Sequence, residues 1–375
     1  MISSVGESVE GLLMSRNKNT AVKGQNTPSN EEYLALYQAA GQLRAQKPWD
    51  TLGAGDLVGV RDPETGVTGY CGLLGQMGEY FALHVYLGGE GMDAYRALVD
   101  AGDDLEGEPS QLNLMLAGRS QKNLVVDFSD AAEVSPVDKA RVKRLGLSIR
   151  EKCAWPVFMR NDPCFEHRDL DCREVRFLTT AIREVLSVTA RVRDDGLVLP
   201  EPFLTEKVLV RVPVYEDGVL VWKDVIEVLE TSSVPESDPL SESDRGALEG
   251  MPVRELYLEL AHTILPAIIK ARESDRGMLT RMLIATDGRS GKILGFYMFE
   301  PGEFPGGAVR QVASMLKTLG FIPSRLVMND RWLFAAVGNA VPALRSSLAL
   351  STRMEASEDA FLAISQFMLG KHQGT

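Results

Sequence analysis

Three observations predict an α+β fold in two main domains, with mixed or antiparallel sheets and packed helices. At 375 residues the chain exceeds the usual size of one domain, and its 45% hydrophobic and 25% charged content suits a globular protein with a sizeable core. Helical and strand patterns are interleaved without regular βα alternation, which disfavours a doubly wound parallel sheet. A Ser/Pro-rich acidic stretch separates two patterned regions. The division that follows is a flexible leader at 1–28, an N-terminal α+β domain at 29–230, divisible into 29–150 and 151–230, an acidic linker at 231–249 and a C-terminal α+β domain at 250–370.

In the first domain, Ser29 and Glu32 are spaced as a capping box, and Tyr33, Leu36, Tyr37, Ala40 and Leu43 fall on one helical face. Short strands follow at Asp56–Arg61, Val67–Leu74 and Glu79–Leu87, with Asp62-Pro63-Glu64-Thr65-Gly66 as the first turn. In the third strand Phe81, Leu83, Val85 and Leu87 alternate with Ala82, His84 and Tyr86, so the two sets face opposite sides of a sheet. Gly88-Gly89-Glu90-Gly91 opens a helix with Met92, Tyr95, Leu98 and Val99 inward. Asn123–Phe128 reads as a strand, Ser135-Pro136 as a helix start, and Asp171–Arg191 as a long helix. Lys207–Tyr215 and Val219–Leu229, joined at Glu216-Asp217-Gly218, form the clearest hairpin.

In the second domain, Val253, Leu256, Tyr257, Leu260, Ala261, Ile264 and Leu265 recur at helical spacing, predicting a helix that Pro266 kinks or ends. A hairpin is expected over Arg281–Asp287 and Lys292–Glu300. An amphipathic helix through Val309, Val312, Leu316 and Leu319 follows, then a strand at Arg325–Asn329 and a last helix at Glu358–Leu369.

The net charge of −12 is uneven: residues 90–108 carry −6 and residues 224–249 carry −7, leaving +1 over the remainder. The overall field repels phosphate and disfavours a general nucleic-acid binder, but the balanced remainder leaves a local phosphate site in the C-terminal domain open. No run approaches the ~20 apolar residues of a membrane helix, and no apolar segment flanks Arg16, Lys18 and Lys23 as in a secretory signal. Four cysteines are too few for a disulfide scaffold, so a cytoplasmic protein is expected.

The stretch Trp49…Asp56-Leu57-Val58-Gly59-Val60, Asp62-Pro63-Glu64-Thr65-Gly66, Gly69-Tyr70-Cys71 and Tyr86-Leu87-Gly88…Gly91-Met92 resembles a family of uncharacterised bacterial proteins. The likeness extends to Trp155-Pro156-Val157-Phe158, to Glu174–Ala181 and to the hairpin holding Arg211 and Trp222. In that family the module precedes a C-terminal domain also of unknown function, with which Leu294-Gly295, Glu300-Pro301 and Gly320–Pro323 agree. The resemblance implies the domain division and no activity, catalytic residue or cofactor.

Few groups suggest chemistry. Cys164-x2-His167-x4-Cys172, with Cys153 upstream, is the one zinc-like set, yet it lacks a paired Cys-x2-Cys knuckle. Gly88–Gly91 lies where a phosphate cradle can form, but Glu90 and Asp93 oppose an anion and both phosphate-loop patterns are missing. Asp287, Asp330 and Glu358 stand at strand ends and a helix start, in an order resembling an abbreviated ribonuclease-H-like fold, where such carboxylates hold two divalent metals for phosphodiester hydrolysis. Only two strands precede the helix where that fold has three, and turn and helix-start roles explain the same acids. No nucleophile elbow exists; His84 reads as a hydrogen-bonded structural histidine, His262 falls in a helix and His372 in a tail. The reading favoured is a non-enzymatic binding or regulatory module for a protein or small-ligand partner, with no cofactor, its two acidic segments offering a face to a basic partner. The alternative is a metal-dependent nuclease-like hydrolase using Asp287, Asp330 and Glu358.

Overall fold

The computed structural model describes residues 26–78, 80–102, 110–233, 240–270, 272, 275–344 and 347–371. Most of the expected leader, residues 103–108 of the first acidic segment, residues 234–239 of the linker and His372 lie outside them. The chain is α+β, with two mixed sheets.

The first helix, α1 (Asn30–Gln46), starts on the expected capping box: the Ser29 hydroxyl accepts from the Glu32 N–H while the Glu32 carboxylate accepts from the Ser29 N–H. Strands β1 (Leu57–Arg61), β2 (Thr68–Leu74) and β3 (Ala82–Leu87) form an antiparallel meander. Helices α2 (Gly88–Gly102) and α3 (Gln111–Arg119) precede β4 (Asn123–Ser129); α4 (Pro136–Arg144) leads to β5 (Trp155–Asn161). The long α5 (Cys172–Asp195) and the single turn α6 (Pro202–Thr205) precede the hairpin β6 (Lys207–Glu216) and β7 (Val219–Val228). Spatial order is β5-β4-β3-β2-β1-β6-β7, antiparallel throughout except for β1 with β6. One sheet face, carrying Val58, Val60, Cys71, Leu83, Val85, Leu124, Val126 and Leu209, packs under α1 and α5. On that side Arg211 is buried and tied to Glu184 of α5 (2.8 Å) and Asp224 of β7 (2.6 Å), fixing the hairpin to the helix layer. Part of the other face, around Leu57, Tyr70, Tyr86, Val208 and Val210, is covered by Met92 and Tyr95 of α2.

Helix α7 (Glu242–Glu249) occupies the end of the expected linker. The segment expected as a helix behind Pro252 is instead β8 (Val253–Ile269), the central strand of the second sheet. Its apolar residues serve both faces: Leu258, Leu260 and Ile264 lie opposite Ala261 and Leu265, so no alternation survives to reveal a strand. Pro266 does not end it; a register irregularity between Ile264 and Ile268 accommodates the proline. Strands β9 (Met278–Asp287) and β10 (Ile293–Phe299) make the expected hairpin, and β8 supplies the third strand before α8 (Gly306–Leu319). Then follow β11 (Ile322–Met328), α9 (Arg331–Ala340), β12 (Leu348–Leu350) and α10 (Glu355–Lys371). The order is β10-β9-β8-β11-β12, with β11 parallel to both β8 and β12.

The two sheet regions share a core. Leu112 of α3 is buried with Ala261, Met282, Ile284, Val327 and Phe361, so a helix of the first region completes the apolar cover of the second sheet. Cys164 lies beside Ile264 and Leu279, its N–H donating to the Arg119 carbonyl and its carbonyl accepting from the Leu279 N–H, both at 2.8 Å.

Candidate functional site

Strand alternation divides β3 between two environments. Leu83 and Val85 enter the core under α1 and α5, which places Ala82, His84 and Tyr86 on the opposite face. The register sets Val125 opposite His84 and Asp127 opposite Ala82, so Asn123, Val125 and Asp127 of β4 share that face. From β5, Asn161 and Met159 join them. Only part of this face lies under α2; His84, Asp127, Met159 and Asn161 are half-buried, and Tyr80 is 45% exposed just before β3.

The hydrogen-bond network on this face fixes the imidazole tautomer. Gln121 donates through Nε2 to the Ala117 and Ala94 carbonyls, at 2.7 and 3.2 Å, which orients its amide because carbonyls only accept. Gln121 Oε1 therefore accepts from Asn123 Nδ2 (3.4 Å), and Asn123 Oδ1 accepts from Asn161 Nδ2 (2.9 Å). Asn123 Nδ2 then donates to His84 Nδ1 at 3.3 Å, leaving the imidazole proton on Nε2. Burial pushes the His84 pKa down to about 4, so the ring is neutral near pH 7. Among the described residues nothing accepts from His84 Nε2, and nothing donates to the buried Oδ1 of Asp127. Burial raises the Asp127 pKa, and hydrogen bonding from Tyr80 works against that rise. The Tyr80 phenol is raised in turn, by burial and then by the Asp127 charge. A donor and an acceptor without protein partners thus stand on neighbouring strands of one face. The ring of His84 continues into an aromatic row, with Tyr86 at 5.9 Å, then Tyr95 at 4.7 Å from Tyr86, then the exposed Phe203 at 5.6 Å from Tyr95.

His84 was expected to be hydrogen-bonded, and on Nδ1 it is. Its open Nε2 and the acceptor on Asp127 were not expected. An Asp inside the apolar run Leu124–Phe128 is a signal available in the sequence, but its closeness to His84 depends on the β3/β4 register.

The carboxylates singled out in the C-terminal region hold separate places. Asp287 turns the β9–β10 hairpin, accepting from the N–H groups of Arg289 (3.0 Å) and Ser290 (3.4 Å). It lies opposite Leu258 on β8, whereas Asp330 bonds His262 four residues further on, about 13 Å away along the strand. Asp330 also caps α9 by accepting from the Leu333 N–H at 2.8 Å. His262 belongs to strand β8, correcting its expected helix.

Glu358 reaches out of α10 to the start of α3, accepting from the Ser110 hydroxyl (2.6 Å) and from the N–H groups of Gln111 (2.7 Å) and Leu112 (3.4 Å). It acts as a carboxylate cap supplied across the junction of the two regions. Glu358→Ala strands those donors and is expected to lower stability by about 1–2 kcal/mol, with Glu358→Gln intermediate. Urea unfolding of the three proteins checks this.

The zinc-like set is also dispersed in role. Cys153 donates through its N–H to Asp130 (2.7 Å), Cys164 is fully buried at the junction, His167 is exposed and Cys172 opens α5. Among the described residues no three His, Cys, Asp or Glu side chains are grouped to hold a metal ion. The glycine run answers to packing. A Cβ on Gly89 would lie 2.6 Å from the Thr231 carbonyl carbon, and one on Gly91 would lie 2.7 Å from that of Tyr86, so neither position has room for a side chain.

Comparison with known proteins adds two domain assignments and no activity. Residues 33–211 match the family model described as Domain of unknown function (DUF7309), and residues 248–365 match Domain of unknown function (DUF6930). No curated protein matches the chain. No helix among the described residues is long and apolar enough to cross a membrane. The chain thus carries a DUF7309 domain followed by a DUF6930 domain, two domains of unknown function that together span most of its length.

Proposed function

We propose that this protein is a non-catalytic binding module whose N-terminal domain takes a small ligand on the β3–β4 face. The observation that carries the reading is the pairing of an unpartnered donor, His84 Nε2–H, with an unpartnered acceptor, Asp127 Oδ1. A buried polar group without a partner costs about 1–3 kcal/mol, so a ligand that satisfies both recovers a substantial binding term. In the β3/β4 register the two residues are diagonal neighbours, with Cα atoms about 7–8 Å apart and side chains on one side. One amide group, accepting through its carbonyl and donating through its N–H, matches that pair. The ligand class is therefore a primary or secondary amide, lactam or imide. The aromatic row beside it, from Tyr86 to Phe203, suits a planar ligand body.

The test is a fragment titration followed through the imidazole nitrogens by NMR, using nicotinamide, 2-pyrrolidinone and uracil, with the ketone cyclopentanone as a control lacking a donor. The amides are expected to move the His84 Nε2 resonance saturably, the ketone far less, and Asp127→Ala is expected to weaken amide binding about tenfold. If no amide moves that resonance, or if binding survives Asp127→Ala undiminished, the reading fails.

A further inference from the structure

The outer strand of the seven-stranded sheet carries a second, independent feature. Among the described residues no strand pairs with the free edge of β7. The hairpin turn Asp217-Gly218 has positive φ at both residues, 51° and 80°, as in the two-residue type I′ connection. In such a hairpin the flanking pair, Glu216 and Val219, exchanges hydrogen bonds, so odd-numbered β7 residues bond to β6. Leu220, Trp222, Asp224, Ile226 and Val228 then direct their N–H and C=O groups outward. Along this edge Val225, Ile226 and Val228 are 41%, 52% and 65% exposed. A long apolar edge with free backbone groups is a template for another strand.

We propose that the occupant is a second copy of this chain, pairing β7 with β7 antiparallel about a two-fold axis through Val225. Charge selects both the partner and the register. An axis at Lys223 sets Lys against Lys, and one at Asp224 sets Asp against Asp; both are unfavourable directly across a strand pair. An axis at Val225 sets Lys223 opposite Glu227 of the other copy, twice by symmetry, with Val225 facing Val225 and Trp222 facing Val228. The same register joins Trp222 to Val228 and Asp224 to Ile226 through their outward backbone groups, as an antiparallel ladder requires. Lys223 already meets Glu216 at 2.5 Å and Glu227 meets Arg61 at 2.6 Å. The first of these pairs is exposed and weakly held, so Lys223 is free to reorient. Apolar contacts supply the affinity and the charges set the register.

Sedimentation of the full chain over about 1–100 μM is expected to show a dimer, and Val225→Arg, which opposes like charges at the axis, a monomer with unchanged circular dichroism. Val225→Cys is expected to form a disulfide-linked dimer under mild oxidation, because facing Cα atoms about 4.5–5.5 Å apart fall within disulfide reach. Lys223→Cys and Asp224→Cys are expected to cross-link no more than the unmutated chain. A monomer at all concentrations, a dimer indifferent to Val225→Arg, or preferential cross-linking at 223 or 224 overturns the proposal.

Discussion

Replacing Asp330 by Ala is expected to lower the stability of the protein by about 2–4 kcal/mol, the cost of leaving a buried imidazole N–H without its carboxylate acceptor and a helix without its cap. His262 is fully buried in the central strand β8, with Nδ1 2.6 Å from Asp330 Oδ2 and Nε2 3.3 Å from Arg281 Nη1. Arg281 can only donate, so Nε2 accepts and the ring proton sits on Nδ1, directed at the carboxylate. Burial lowers the His262 pKa, which agrees with a neutral ring. Asp330 stays ionised: burial alone would raise its pKa, but His262, the Leu333 N–H and the Arg281 charge together hold it below the usual carboxylate value. The ring stacks on Phe304 at 4.1 Å, and the His262 backbone is bracketed by Asn329, which accepts from its N–H and donates to its carbonyl. Alanine leaves the His262 N–H without an acceptor, uncovers the Arg281 charge and removes the cap of α9. Asp330→Asn keeps an acceptor and most of the cap, so it is expected to cost about 1–2 kcal/mol. Urea midpoints at pH 7 separate the two variants. A loss below about 1 kcal/mol for Asp330→Ala would place this cluster among surface ion pairs.

The elements legible in the sequence are those whose signal is local. The Ser29/Glu32 capping box, the Asp217-Gly218 turn and the alternation of Val208, Val210, Val212 and Val214 are each written within a few residues, and each corresponds to the structure. Strand β8 is not legible locally because both of its faces are buried: Leu258, Leu260 and Ile264 oppose Ala261 and Leu265, and the spacing of apolar residues then imitates a helix. The candidate site divides in the same way. That His84 and Tyr86 share a face follows from β3 alone, whereas Asp127 becomes their neighbour only through pairing between strands 35 or more residues apart. Glu358 illustrates the opposite error. As an acid in the first turn of a helix it looks self-explanatory, but its partners are more than 240 residues away at the start of α3. Closeness in sequence misleads for the cysteines as well: Cys164, with φ of 65°, packs at the junction between the two regions beside Ile264 and Leu279, whereas Cys172 opens α5.

Acid titration is expected to show a loss of stability that belongs to His84. Its folded pKa of about 4 lies below the unfolded value of about 6.5. The unfolded chain therefore takes up a proton as pH falls through 6.5 while the folded protein does not, and stability is lost over that interval, levelling off below pH 4. Between pH 7.5 and 4.5 the shift corresponds to about 2.5 kcal/mol. Asp127, which shares the face, acts in the other direction. Its pKa is raised in the fold, so the folded protein is the better proton acceptor at that site, and acid returns some stability. Tyr80, Tyr86 and Tyr95 are all raised and titrate far above this range. Comparing His84→Gln with the unmutated protein cancels the remaining carboxylates, because both chains carry them. The difference in unfolding free energy between the two should shrink or reverse by about 2.5 kcal/mol on going from pH 7.5 to 4.5, read from urea midpoints at each pH. A constant difference would mean that His84 has the same pKa in the fold as in the unfolded chain, about 6.5, so that the fold does not hold the ring neutral in acid. Below that pH the ring would present two N–H donors where the β3–β4 face requires a single donor beside the Asp127 acceptor, and the amide complement would be confined to neutral pH and above.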